Sequence, residues 1–288
     1  MFGPVVDYWL LRPLTHSRNA ATEEELNARA AVDVSIDING ELAKIRKLQE
    51  RLGGSLPISE QLSYCDVGCG EGGMALALAV LGAGHVTGID ITPRSIVTAV
   101  ANRKRLQLDT RVEFLCANIH EWEPPNPFDV VLSHEALEHI LEPEKFLSRV
   151  RRLVKPTGIV ILAFGPLFRC PFGDHMDGFF RVPIPWRGVL FSEQAILRLR
   201  RERFRPTDRA TKYQEITGSL NLMRYSEFLK SASDLGWVFE FLDVNPQLKK
   251  LKPVYSLSSA LTRVPHVQDY VAGSVYAVLR LRQSEAAK

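Results

Sequence analysis

The chain has 288 residues, of which 45% are hydrophobic and 24% charged, and its formal net charge is +3. That is enough apolar material for one large core, and the basic balance is too mild to point to a nucleic-acid partner. The N-terminus lacks a basic segment followed by an apolar run and a small-residue cleavage site, and the longest weakly polar run, Met74 to Gly84, is too short for a bilayer, so a protein outside the membrane is expected. The four cysteines, Cys65, Cys69, Cys116 and Cys170, form no Cys-x-x-Cys pair, which fits free thiols in a reducing cytoplasm.

Residues 1–60 carry helical spacing, with Glu23-Glu24-Glu25-Leu26 after Thr22 and then Leu42, Ile45, Leu48 and Leu52 at steps of three or four. Together with Tyr8, Trp9 and the polar stretch Thr15 to Asn19, this segment is expected to form an N-terminal helical lid. Gly53-Gly54 ends the helix. Then comes an alternation: strand 62–67, helix 71–82, strand 85–90, helix 93–106, strand 111–116, strand 128–133, helix 143–154 and strand 158–164. Such an order predicts an α/β fold, a Rossmann-like sheet of seven mostly parallel strands with helices on both faces. The breaks have local causes, among them Pro93 at a first helical turn and Pro124, Pro125 and Pro127 ahead of the strand starting at Phe128.

The core is expected over 61–165 and again over 221–288, with an inserted cap at 166–220. The cap is rich in rings (Phe168, Phe172, Phe179, Phe180, Trp186, Phe191) and in proline. It either lines an apolar acceptor pocket or packs the insertion against the sheet. A basic run follows at Arg198, Arg200, Arg201, Arg203 and Arg205, for which a solvated helix face is the simpler reading than an anionic partner or RNA. The pattern resumes with helix 225–235 and strands 237–244 and 274–281, around a second irregular insertion at 245–270.

The loop Asp66-Val67-Gly68-Cys69-Gly70-Glu71-Gly72-Gly73 follows the first strand. Ligands of open α/β sheets sit outside the carboxyl ends of the strands, and glycines there let the backbone approach a ligand. Asp90, about twenty residues on, ends the second strand, where a carboxylate can accept from ribose hydroxyls. Alone, this fits a dinucleotide as well as S-adenosylmethionine. Asp66 two residues before the first glycine, the strand Phe128-Asp129-Val130-Val131, the turn Leu153-Val154-Lys155-Pro156-Thr157-Gly158 and the terminal strand pair favour S-adenosylmethionine.

On these residues the chain resembles the class I S-adenosylmethionine-dependent methyltransferases, over roughly 60–165 and 220–282. The resemblance implies that Asp66, Gly68 and Gly70 bind the methionine part, Asp90 and Ile91 the ribose, and Asn118 and Ile119 the adenine, with Ser133 also at the donor. The family often has Asp where Asn118 stands, although an amide oxygen still accepts from an amino group.

After the fourth strand come His134-Glu135-Ala136-Leu137-Glu138-His139. On a helical turn Glu135, Glu138 and His139 share one face, a plausible divalent-metal set. The spacing Glu-x-x-Glu-His is similar to that of the ubiquinone-biosynthesis O-methyltransferases and the small-RNA 3′-terminal ribose methyltransferases. That resemblance implies a metal on Glu135, Glu138, His139 and a more distant histidine, here His175. Without a metal, His134 or His139 is the candidate general base and Glu135 a further catalytic candidate. The expected function is methyl transfer to an oxygen of a small apolar or aromatic acceptor. The rivals are another use of the same donor (aminopropyl transfer or cyclisation), RNA ribose methylation, and a non-catalytic binding module.

Overall fold

A computed structural model of the chain describes residues 2–16 and 35–282. The expected helical segment at Thr22 to Leu26 and the tail beyond Arg282 lie outside the described residues. The strands are β1 (Ser63–Val67), β2 (His85–Asp90), β3 (Val112–Cys116), β4 (Phe128–His134), β5 (Val154–Phe164), β6 (Trp237–Val244) and β7 (Val275–Leu281). They form one sheet in the order β3-β2-β1-β4-β5-β7-β6. β1 to β5 run parallel, and β7 inserts antiparallel between β5 and β6. This is the seven-stranded, mostly parallel Rossmann-like sheet that the alternation predicts.

The described helices are α1 (Pro4–Leu11), α2 (Ile38–Arg51), α3 (Gly73–Val80), α4 (Pro93–Arg105), α5 (Pro143–Leu153), α6 (Arg187–Leu190), α7 (Glu193–Arg203), α8 (Tyr225–Asp234), α9 (Lys252–Leu261) and α10 (Gln268–Val271). Asp37 caps α2 by accepting from the Asn39 N–H. α2 then buries Ile45 and Leu48 against α3, which accounts for the all-apolar character of α3 between Met74 and Ala79, every residue of which is buried. α3 begins two residues later than the periodicity suggests, because Gly68, Gly70 and Gly72 all take positive φ and prolong the turn. The opposite face of the sheet is covered by α5 and α8, with Phe146, Leu147, Val150 and Phe228 fully buried.

Asp129 has a structural reason to follow Phe128. Its carboxylate accepts from the Ser63 N–H and hydroxyl and from Lys155 Nζ, at 2.8 to 2.9 Å, and so ties the lower ends of β1, β4 and β5 together. β5 accordingly starts at Val154, earlier than expected, with a register shift opposite Phe128 and Val130.

Residues 166–220 and α1 form a separate apolar cluster that includes Tyr8, Leu11, Met176, Phe180, Leu199 and Tyr213. The bridge between Thr15 and Phe180 and the bond from the Tyr8 hydroxyl to Glu202 fix α1 to this insertion. Arg187 pairs with Asp174 through two bonds of 2.7 and 2.8 Å, both side chains being at most 1% exposed. The expected solvated basic face is only partly so: Arg200 is buried in an ion pair with Asp208, and Arg198 pairs with Glu202 and stacks on Tyr8.

Candidate active site

At the carboxyl ends of β1, β2 and β4 lies a cavity of about 710 Å³, lined by Gly68, Gly70, Asp90, Ile91, Asn118 and Ile119 among others. The glycines are required here. Gly68 has φ +75°, and a Cβ on it would lie 2.5 Å from the Cβ of Ala136. Gly70, at φ +52°, donates its N–H to Asp90 Oδ2 at 2.9 Å, while Asp90 Oδ1 accepts from the Thr92 N–H at 2.8 Å. Each oxygen keeps acceptor capacity, so the carboxylate is held at the cavity with room for hydroxyl partners. Ile91 is 67% exposed at the mouth, an apolar surface left open to a ligand. Asn118 Oδ1 accepts from the His120 N–H and its amide donates to Glu121, which fixes the side chain at the wall.

Asp66 is 2% exposed and stands just behind this lining. Its Oδ2 is buried with no partner among the described residues. Burial, together with the nearby Asp90 and Glu41 charges, pushes its pKa up to about 7, against the lowering effect of a hydrogen bond from the Ala75 N–H. A buried carboxylate with one oxygen unpartnered, behind a glycine loop, suits a cationic ligand group. Ser133 departs from expectation: it is 1% exposed inside β4, faces the core and does not line the cavity.

Beyond β4 the expected helical turn does not form as drawn. Glu135 takes φ +52° and Ala136 is non-helical, so the short 3-10 turn covers only Leu137–His139. Glu135 therefore does not share a face with Glu138 and His139. The Glu135 side chain is 71% exposed, with His134 Nδ1 4.0 Å away. Glu138 is 4% exposed, its Oε1 accepts from the Gly165 N–H, and burial raises its pKa. Among the described residues no three of His, Cys, Asp and Glu converge as a metal set. The expected Glu135, Glu138, His139 and His175 ligand set does not fit a divalent ion, because Glu138 is turned into the protein and Glu135 away from it.

His139 lines the cavity, and its Nδ1 lies 2.8 Å from the Ser219 carbonyl. A carbonyl only accepts, so Nδ1 carries the proton and Nε2 is left basic. His175 packs edge-on against it, ring centroids 5.4 Å apart, and its Nε2 meets the Pro166 carbonyl. The two histidines do come together, although not as ligands. His134 stands back from the site: it lines neither this cavity nor the one at the ends of β5 and β7, and burial lowers its pKa, so it stays neutral within the sheet.

Sequence reasoning missed the partner of this turn. Ser219 donates its hydroxyl to the His139 carbonyl, and Asn221 donates to the carbonyls of Leu137 and Ile140. Ile216, Gly218 and Ser219 thereby become cavity wall. A second cavity of about 570 Å³ lies at the ends of β5 and β7, lined by Lys47, Arg51, Phe164, Phe172, Leu248 and Tyr276 among others, and Glu135 borders both cavities.

Residues 58–165 match the model of a methyltransferase domain. Over 114 residues, 39% of this chain and 43% of that protein, the sequence is 42% identical to the ubiquinone biosynthesis O-methyltransferase of Maricaulis maris (strain MCS10). The match thus spans under half the length of this curated relative. The fold is similar to a geranyl diphosphate methyltransferase in complex with SAM (TM-score 0.54, 14% identity, 93% of this chain and 98% of that one). It is also similar to the [4+2]-cyclase SpnF (TM-score 0.52, 16% identity, 98% of this chain and 95% of that one). At such identities the two structures speak to the fold alone. Residues 58–165 are thus a methyltransferase domain, seated in a seven-stranded, Rossmann-like sheet.

Proposed function

We propose that the chain transfers the methyl group of S-adenosylmethionine to an oxygen of a small-molecule acceptor. The observation that carries this reading is the meeting of two cavities at Glu135, one lined by the glycine loop, Asp90 and Asn118, the other by apolar side chains at the ends of β5 and β7. A donor in the first would direct its sulfonium methyl toward an acceptor in the second. Asp90 and Ile91 are suited to the ribose, Asn118 and Ile119 to the adenine, and Asp66 to the amino group. His139 Nε2 removes the hydroxyl proton as the oxygen attacks, and the imidazolium returns it to solvent after transfer. The remainder is alignment of oxygen, methyl and sulfur. No step runs through a metal, since the residues expected to hold one are turned apart.

The test is product mass with S-adenosylmethionine and a panel of phenols and catechols. S-adenosylhomocysteine formed in step with an acceptor heavier by one methylene supports the reading. Methylthioadenosine would replace it with aminopropyl transfer or donor cyclisation, and a rearranged acceptor beside unconsumed donor would point to cyclase chemistry of the kind named for SpnF.

A further inference from the structure

The second cavity contains a charge pattern that methyl transfer to a neutral acceptor leaves unused. Lys47 and Arg51 lie one turn apart on α2 and both line it. A third cation on the same helix, Lys44, is neutralised by Glu41 at 2.7 Å. Among the described residues neither Lys47 nor Arg51 makes an ion pair. Arg51 bonds only to the neutral Tyr276 hydroxyl, over whose ring its guanidinium lies at 5.1 Å. That contact uses one of the five guanidinium N–H donors and orients the rest.

The other polar groups of the wall are already engaged. Asn245 accepts from the Gly273 and Ser274 N–H groups and donates to Ser258 and Val271, and Gln247 accepts from the Ser274 hydroxyl. Glu135, the carboxylate on this wall, stands at the junction with the donor cavity beside His134. Much of the remaining lining is apolar, from Phe164, Pro166, Pro171, Phe172, Leu248 and Val271. Two cations without a carboxylate partner among the described residues, on a wall that is otherwise largely apolar and reaches the junction at Glu135, describe an amphiphilic acceptor.

We infer that the acceptor carries an anionic oxygen group, carboxylate or phosphate, bound by Lys47 and Arg51, with its apolar part against the rest of the wall and its reacting atom at the junction beside Glu135. This rests on the methyl-transfer reading above. An oxyanion there gains charge-assisted bonds from a planar fork and an ammonium, whereas a neutral group leaves both cations without a counter-ion.

The experiment is calorimetric titration of full-length protein saturated with S-adenosylhomocysteine. The probes are benzoate against benzyl alcohol and phenyl phosphate against phenol. The expected result is that one anion binds at least about tenfold more tightly than its neutral counterpart, and which of the two does so separates a carboxylate from a phosphate acceptor. Lys47→Gln with Arg51→Gln removes the preference while leaving S-adenosylhomocysteine affinity unchanged, and Arg51→Lys retains part of it. Equal binding of anion and neutral probe, no binding of any probe, or a preference that survives the double substitution overturns the inference. Failure of S-adenosylhomocysteine itself to bind would instead overturn the methyl-transfer reading, so the two failures are distinguishable.

Discussion

Raising the pH from 5.5 to 7 is expected to strengthen S-adenosylmethionine binding about fifteenfold, through Asp66. Its carboxyl is 2% exposed, and burial with the Asp90 and Glu41 charges nearby raises its pKa to about 7. The ligand-free protein therefore has about 3% of Asp66 ionised at pH 5.5 and about half at pH 7, while an α-amino group with a pKa near 7.8 stays cationic throughout. If the ammonium binds the ionised carboxylate, affinity scales with that fraction, and the ratio of about one half to about 3% gives the magnitude. The sign for stability is opposite. A carboxyl whose folded pKa lies above its unfolded value holds its proton better in the folded state, so the contribution is present at low pH and is lost as pH rises from about 4 through about 7. Calorimetric titration at several pH values, on wild type and Asp66→Asn, measures the effect. A flat wild-type curve would refute the argument, as would a slope that Asp66→Asn leaves intact.

Three further outcomes follow from the geometry. His139→Gln should lower kcat by about a hundredfold or more, as expected for loss of a general base, with donor affinity held, which single-turnover kinetics and donor titration separate. Arg187→Ala should destabilise the insertion by about 3 to 5 kcal/mol in chemical denaturation, since it removes the guanidinium from a carboxylate 1% exposed. Turnover should be unchanged in excess chelator after exhaustive metal removal, because Glu135, Glu138, His139 and His175 do not converge; restoration of a lost rate by a divalent ion would contradict that geometry.

The strands of the sheet were legible because they are β-rich apolar runs, several of them closed by glycine or proline, as at Gly68 after β1 and Gly165-Pro166 after β5. The glycine turn after β1 was legible for the same reason, as positive φ at Gly68, Gly70 and Gly72 leaves a mark in residue type. Ser133 misled because side-chain direction in a strand alternates, and a slip of one residue exchanges cavity for core. The Glu135 to His139 cluster misled because helical spacing presumes a helix, and Glu135 instead turns left-handed. Lys47, Arg51, Ser219 and Asn221 left no readable mark, since their importance comes from contacts across the chain, such as the 80 residues separating His139 from Ser219.

That pair of reciprocal bonds between His139 and Ser219 has a thermodynamic consequence. The cavity at the ends of β1, β2 and β4 is walled in part by Ile216, Gly218 and Ser219, so if the donor binds there as proposed, a donor that selects the arrangement with this segment docked on the turn after β4 tightens the insertion. At a donor concentration one hundred times its dissociation constant, the added resistance to opening is about 2.7 kcal/mol. Amide exchange at Ser219 and Asn221, far from the glycine loop in sequence, then reports on occupancy of the donor site.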